Sequence, residues 1–320
     1  IDPWNPSTTG VVVLRNNATA SDEIYKNTAI RTGGSWSSIF DVSTFNTVTG
    51  VTATSVLIFG PDTSNTQSLG VSWTIAQAGT FGFLAIGVVG GLAQWYAFRT
   101  FNSGTTYSAT RVDDGTIIPV NHGAHNPNFV WGQNNASIVY VHEGRSAIGE
   151  NSLGISTDSG STFTVSGALA NSTETFLVPH DGNTALDERM FTYVQSSLRR
   201  STNIGVAYTE INTTAGMHEM ILQRADLSGT GFSHSLGAVV NITRDGGQTW
   251  TTTTWGTSPN INVRTISLLD GRVLYVGTVT DTTAWVYVSL DLGNTFTNKH
   301  GNLPTVSGTR VESIVPDWSL

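Results

Sequence analysis

Six carboxylates are candidates for acid–base work: Glu143, Glu150, Asp181, Asp187, Glu188 and Glu219. Two acids about 5–9 Å apart suffice to cleave a glycosidic bond, one protonating the leaving oxygen and the other acting as base or nucleophile. The histidines offer a second chemistry. Asn121-His122-Gly123-Ala124-His125-Asn126 and His142-Glu143 would supply three metal ligands if loops brought them together. His-x-x-His on a loop has no preset geometry, so the expectation is solvated loop histidines and no metal. Two tryptophans suit a third task. Trp131 sits in Asn128-Phe129-Val130-Trp131-Gly132-Gln133-Asn134-Asn135, and Trp255 follows Thr251 to Thr254 and precedes Gly256. An exposed indole among amides and hydroxyls gives a sugar ring a flat apolar face and its hydroxyls hydrogen-bond partners. Trp131 and Trp255 are therefore the expected ligand-binding residues.

The elements that must hold such groups can be inferred from composition. Apolar residues make up 38% of the 320, enough for a sizeable core, while charged residues make up only 12%, about half the usual share. Ser, Thr, Asn and Gly fill the gap. They suit strand faces and tight turns better than long helices, so a chain nearly free of helix is expected. The net charge of −8, with 15 basic residues and Arg199-Arg200 as the only adjacent pair, argues against nucleic acid, which needs a basic track along its phosphates. No P-loop, dinucleotide fingerprint or cysteine is present, so no cofactor is expected.

No composition shift marks a linker, and one domain over 1–320 is expected. The longest apolar stretch, Phe81 to Ala93, is broken by Gly82, Gly87, Gly90 and Gly91. It is shorter than the roughly 20 residues a membrane helix needs and reads as a buried strand followed by a glycine turn, so no membrane insertion is expected. The chain opens on Ile1 rather than Met, as a processed product would. Asn-x-Ser/Thr sequons at Asn17, Asn135, Asn171, Asn212 and Asn241 are no more than so Ser/Thr-rich a chain gives by chance.

Repeats carry the strongest signal. Ser156-Thr-Asp158-Ser-Gly160-Ser-Thr162-Phe163, Thr243-Arg-Asp245-Gly-Gly247-Gln-Thr249-Trp250 and Ser289-Leu-Asp291-Leu-Gly293-Asn-Thr295-Phe296 share Ser/Thr-x-Asp-x-Gly-x-Thr-aromatic. Each follows an alternating stretch: 152–156, 236–243 and 284–289. The Asp can accept amides of its own turn, the Gly permits a positive φ, and the aromatic opens the next strand. These residues are read as a hairpin staple, architectural rather than catalytic. Ser201-Thr-Asn203-Ile-Gly205-Val-Ala207-Tyr208 is a degraded copy with Asn for Asp. Thr66 to Trp73 is another, with Ser68 for Asp, and Ala29 to Trp36 keeps only Gly33, Ser35 and Trp36. Trp36, Trp73 and Trp250, at the aromatic position, are expected in the core, while Trp95 and Trp285 alternate with apolar neighbours. Asp113-Asp114-Gly115 falls where another copy is due but reads equally as an ordinary turn.

The motif resembles the Asp box, or BNR repeat, of sialidase-like β-propellers, and the resemblance spans residues 29 to 296. It implies an all-β propeller with Asp boxes in several four-stranded blades. Phe163 to Trp250 is 87 residues and Trp250 to Phe296 is 46, against about 40–50 per blade. Regular spacing gives seven blades and the sialidase resemblance six. Asp181-Gly182 and Asp270-Gly271 read as turns between a blade's first two strands. The first and last segments, near Val11–Arg15 and Thr309–Val315, are expected to close the ring.

The family resemblance fixes fold more than function. A sialidase-like enzyme needs three arginines on the substrate carboxylate, a Tyr activated by Glu, and an Asp. The Arg-Ile-Pro signature is missing: Arg15 and Arg111 sit in strand contexts without it, and no Tyr-Glu dipeptide occurs. The weak catalytic candidates implied by the resemblance are Glu174, Arg199 and Arg264. Two readings follow. One is a non-catalytic propeller, secreted or displayed on a cell or virion surface, that binds glycans or a protein partner. The other is a secreted glycoside hydrolase of sialidase-like architecture.

Overall fold

The computed structural model describes residues 9–16, 21–59, 71–74, 76–113, 128–132, 135–142, 153–166, 177–180, 189–194, 197–201, 209–212, 217–222, 231–235, 239–244, 249–254, 262–269, 273–279, 284–291 and 293–299. These residues form six antiparallel sheets. The first holds β1 (Gly10–Asn16), β2 (Ser21–Asn27) and β3 (Ser37–Phe40) in that order. The second holds β4 (Val56–Phe59), β6 (Phe81–Val89), β7 (Leu92–Thr100) and β8 (Ser108–Arg111), with β5 (Ser72–Trp73) also on β6. The third holds β9 (Asn128–Trp131), β10 (Val139–His142), β11 (Leu153–Ser156) and β12 (Thr164–Ser166). The fourth runs β13 (Leu177–His180), β14 (Arg189–Val194), β15 (Ser197–Ser201) and β16 (Thr209–Asn212). The fifth runs β17 (Met217–Leu222), β18 (Gly231–Ser235), β19 (Val239–Thr243) and β20 (Thr251–Thr254). The sixth runs β21 (Asn262–Leu269), β22 (Val273–Val279), β23 (Ala284–Ser289) and β24 (Thr297–Asn298). By contact density the chain divides into two compact units, residues 1–192 with 201–208, and residues 193–200 with 209–320.

In the first unit, the period of two along a strand distributes the core. On β6, Phe81, Phe83 and Ala85 belong to one apolar cluster, with Phe40, Phe45, Ile58 and Phe98. The alternate residues Leu84 and Ile86 belong to another, with Trp95, Phe129, Trp131 and Val141. A strand buried on both faces must be apolar throughout, and this accounts for the run from Phe81 onward. Its glycines have separate uses. Gly90 and Gly91, at φ 59° and 85°, make the two-residue turn into β7, a conformation that glycine tolerates best. Gly82 and Gly87 make room for rings: a Cβ would lie 2.5 Å from Phe129 at the first and 2.5 Å from Phe45 at the second.

Among the described residues of this chain, expected to be nearly free of helix, there is one α-helix, α1 (Val42–Thr49). Its ends are marked in the sequence. Asp41 caps it by accepting the Thr44 amide at 2.7 Å, and Gly50 closes it at φ 74°. Phe45 turns inward, edge-on to Tyr96 with ring centroids 5.4 Å apart.

Amides on the open edges of first strands are taken by side chains of the preceding sheet. Ser21 Oγ and Asp22 Oδ2, on β2, accept the Val56 and Ile58 amides of β4 at 3.3 and 2.8 Å. Ser72 Oγ, on β5, accepts the Trp131 amide of β9 at 2.8 Å. A buried strand edge is thereby satisfied without a further strand. Among the described residues no helix is long and apolar enough to cross a membrane. Residues 309–315, expected beside β1, lie outside the described residues.

Candidate functional site

The repeated turn is a closed hydrogen-bond unit. Asp158 Oδ1 accepts the Thr162 amide and the Ser156 hydroxyl, both at 2.8 Å, and Asp158 Oδ2 accepts the Thr162 hydroxyl at 2.7 Å. Ser156 Oγ in turn accepts the Gly160 amide at 2.7 Å, and Gly160 stands at φ 81°. In the sixth sheet Asp291 Oδ1 accepts the Thr295 amide and the Ser289 hydroxyl at 2.8 Å, Asp291 Oδ2 accepts the Thr295 hydroxyl at 2.6 Å, and Gly293 stands at φ 82°. Hydrogen bonds to the charged form favour it. The Thr162 amide first, then the Thr162 and Ser156 hydroxyls, hold Asp158 at about 2. The Thr295 hydroxyl, then its amide and the Ser289 hydroxyl, hold Asp291 at about 2. Carboxylates held this low are turn acceptors and poor proton donors.

A further copy of the turn went unrecognised in the sequence. Between β7 and β8, Thr100-Phe101-Asn102-Ser103-Gly104-Thr105-Thr106-Tyr107 repeats the geometry with Asn for Asp and Tyr as the aromatic. Asn102 Oδ1 accepts the Thr106 amide and the Thr100 hydroxyl at 2.9 Å, and Thr100 Oγ1 accepts the Gly104 amide at 3.0 Å. The one inversion is chemical: Asn102 Nδ2 donates to Thr106 Oγ1 at 2.9 Å, where Asp158 accepts. The pattern that admits Asn for Asp and Tyr as the aromatic, as in Ser201 to Tyr208, already fits residues 100–107 at every position.

These turns join the third strand of a sheet to its fourth. Thr243 to Trp250 spans β19 to β20, and Ser201 to Tyr208 spans β15 to β16, though Asp245, Gly247, Asn203 and Gly205 lie outside the described residues. Phe163, Trp250 and Phe296 are half-buried immediately before their fourth strands. The other two degraded copies are corrected. Ser72 and Trp73 form β5 beside β6, on the edge occupied by the first strand β4, so Trp73 does not open a fourth strand as the other box aromatics do; residues 66–70 lie outside the described residues. The turn from Asn27 to Trp36 is a 3-10 turn over Ile30–Thr32 in which the Ala29 amide donates to Asn27 Oδ1 at 2.7 Å. Trp36 is 45% exposed rather than in the core.

The turn in the third sheet is gripped from the second. Arg99 Nη1 donates to the Gly160 carbonyl and, at 2.8 Å, to Thr110 Oγ1, while Nη2 reaches Ser161 Oγ at 3.2 Å. Burial lowers the Arg99 pKa and the nearby Asp158 opposes that shift. In the second unit Arg244 Nη2 reaches Asn294 Oδ1 at 3.0 Å, a parallel link from the fifth sheet to the turn of the sixth.

The candidate binding and catalytic residues are dispersed. Trp131 is fully buried, and its Nε1 donates to the Ala136 carbonyl at 2.9 Å. The exposed sugar platform expected there is overturned. Asn128 to Trp131 is the first strand of a sheet, and its apolar members Phe129, Val130 and Trp131 outweighed the polar residues that follow. Trp95 is likewise buried. Trp255, Glu174, Glu143, Glu150, Asp181, Asp187 and Glu188 lie outside the described residues, as do His122 and His125. His142 ends β10 fully buried, and burial pushes its pKa down to about 3, so it is a neutral strand residue and not a solvated loop histidine. Among the described residues no cluster of His, Cys, Asp and Glu could hold a metal. Arg199 lies on β15, a third strand, opposite Glu210, and Arg264 lies on β21, a first strand. Arg15 stands opposite Asp22, and Arg111 Nε donates to Asp113 Oδ1 at 2.7 Å. Glu23 accepts the Tyr25 hydroxyl at 2.6 Å, which raises the Tyr25 pKa and so disfavours its use as a nucleophile.

No protein-family model and no curated protein matches the chain in sequence. Solved structures match it in fold. A GH74 enzyme from Niastella koreensis superposes with a TM-score of 0.60 at 17% identity, over 91% of this chain and 45% of that one. A post-proline cleaving enzyme from Rickettsia typhi gives 0.54 at 11% identity, over 94% and 47%. YCF48 bound to D1 peptide gives 0.55 at 11% identity, over 92% and 78%. The chain is a β-propeller. The four-stranded sheets are its blades, the repeated turns link third strands to fourth, and β4, β9, β13, β17 and β21 are first strands. At such identities the likeness extends to the fold alone, and the propeller spans about half the length of the GH74 chain it matches.

Proposed function

We propose that this is a secreted or surface-displayed propeller, on a cell or a virion, that binds glycans or a protein partner without catalysis, and that its repeated turns are Asp boxes. The observation that supports the reading is how carboxylates among the described residues are used. Asp158 and Asp291 are committed to their own turns, Asp22 to a buried amide, Asp41 to a helix cap and Asp113 to Arg111. Acids so engaged are unsuited to proton transfer. Low charge and abundant hydroxyls and amides supply hydrogen-bonding groups for a neutral surface to offer a ligand. YCF48, solved with a peptide, illustrates a propeller occupied by a protein segment.

A second reading, a glycoside hydrolase, draws on the GH74 enzymes among the fold neighbours, one of them a xyloglucanase from Xanthomonas campestris. A glycan array run beside a panel of chromogenic glycosides separates the two. Binding without turnover supports the first reading. Turnover on any glycoside, lost on replacing one of Glu143, Glu150, Asp181, Asp187, Glu188 or Glu219, would establish the second.

A further inference from the structure

Three basic side chains of this chain end on the repeated turns, and all three do so in the same direction. Lys26, the last residue before the turn from Asn27 to Trp36, donates from Nζ in the first sheet to the Ser103 carbonyl, in the second sheet's turn, at 3.0 Å. Arg99, the last residue before that second turn, donates to the Gly160 carbonyl of the third sheet's turn and reaches Ser161 Oγ at 3.2 Å. Arg244, the second residue of the fifth sheet's turn, reaches Asn294 Oδ1 in the sixth sheet's turn at 3.0 Å. Asn294 follows Gly293 as Ser161 follows Gly160, so the two arginines hold the same position of their turns. In each case the cation comes from the preceding sheet and the acceptor from the following one. Contacts that share both acceptor position and direction belong to the repeat.

The turn suits a cation in two ways. Ser103 and Gly104 stand left-handed at φ 55° and 83°, Ser159 and Gly160 at φ 61° and 81°, and the carbonyls that Lys26 and Arg99 hold belong to these pairs. The Asp158 carboxylate also lies close enough to favour the charged guanidinium of Arg99. The fourth sheet repeats the donor's placement in its backbone. Arg99 precedes Thr100 and stands opposite Ser108, the residue after Tyr107. Arg200 precedes Ser201 and stands opposite Thr209, the residue after Tyr208. The fifth sheet's turn repeats the acceptor in its sequence. It has Asp245 in the place of Asp158 and Gly246-Gly247 in the place of Ser159-Gly160, residues that adopt the left-handed conformation most readily. Arg200 and the stretch from Thr243 to Trp250 belong to one compact unit.

We propose that the repeated turns are receptors for a one-way latch between successive blades, made by Lys26, Arg99 and Arg244, and that Arg200 makes the same latch from the fourth blade to the turn of the fifth. Each turn then serves twice, closing its own hairpin and receiving the cation of the blade before it. The third blade has Ile155 and Thr157 at the two positions that supply an arginine elsewhere, so it offers no such cation. Arg199, one residue from Arg200, falls on the opposite face of its strand and takes no part.

The test is a double-mutant cycle in the full chain, read as Tm by calorimetry. Arg200→Met should lower Tm by about 2–5 °C, and Arg200→Lys should recover part of it, since Lys26 serves in the first blade. With Asp245→Asn already in place, Arg200→Met should cost less than half as much, because the carboxylate that favours the cation is gone. With Asp158→Asn in place instead, its cost should be unchanged. Arg199→Met should show no coupling to Asp245→Asn. A second measurement does not depend on melting. The chain has no cysteine, so Arg200→Cys paired with Gln248→Cys, at the position of Ser161, should be joined by a short bismaleimide, and Arg199→Cys paired with Gln248→Cys should not. An unchanged Tm in Arg200→Met, a loss indifferent to Asp245→Asn, equal coupling from Arg199, or no cross-link from position 200 would overturn the latch.

Discussion

Replacing Asp158 with Ala removes three acceptor contacts at once, from the Thr162 amide, the Thr162 hydroxyl and the Ser156 hydroxyl. Loss of a turn or cap acceptor typically costs about 0.5–2 kcal/mol. Thr162 is exposed, so water re-solvates its amide, and the expected loss falls near the middle, about 1 kcal/mol. For a chain of this size that corresponds to a fall in Tm of about 2 °C. The pH dependence is the sharper test. Asp158 is held at about 2 against an ordinary value of 3.8. A depressed carboxylate stabilises the fold fully above its unfolded pKa and loses that contribution as pH falls through the folded one. The gap in Tm between wild type and Asp158→Ala should therefore be constant from pH 7 to about 4.5 and shrink towards pH 2. Solvent screening of an exposed group reduces its size but not its sign. Asp158→Asn is the control that the protein itself supplies. The Asn102 turn keeps the same amide contact while its Nδ2 donates to the threonine hydroxyl, so Asp158→Asn should retain most of the stability and lose the acid dependence. Differential scanning calorimetry of the three proteins between pH 7 and 2 reads all of this. A gap that widens on acidification, or ligand binding abolished with Tm unchanged, would refute the architectural role.

The remaining predictions concern neighbours of that turn and the core. Arg99→Ala should cost about 1–3 kcal/mol in urea unfolding, since it removes charge-assisted bonds to the Gly160 carbonyl and Thr110, and Arg99→Lys should recover part of it. Trp131→Ala should cost about 3–5 kcal/mol because the indole is fully buried, and a glycan bound well below the melting temperature should be retained. His142 is neutral when folded, at about 3, against 6.5 unfolded. The unfolded chain thus takes up a proton first, and stability should fall as pH drops from 6.5 towards 3. His142→Gln should flatten that slope, which the same calorimetry measures.

The alternating strands, the repeated turns and the glycine hairpin after β6 were legible in the sequence because their determinants are local. A turn that closes on itself through Asp158 and Thr162, four residues apart, needs nothing from the rest of the chain. Local patterns also held the Asp41 and Gly50 marks of α1, and the Asn102 turn, which fits the same motif as Ser201 to Tyr208. Trp131 shows where local reading stops. Amides follow it in sequence, yet whether an indole meets water or Trp95 and Phe129 depends on which sheet lies against its face. Trp36 erred the other way, exposed although the motif placed it in the core. Blade-to-blade groups such as Arg99 and Gly160 are 61 residues apart, with no periodicity to announce them. Register slips are further from sequence still: His218 on β17 and Arg264 on β21 are extra residues only against the opposite strands β18 and β22. Short-range hydrogen bonding determined the elements of this propeller, and long-range packing and register decided which side chains it buries, clamps or leaves unpaired.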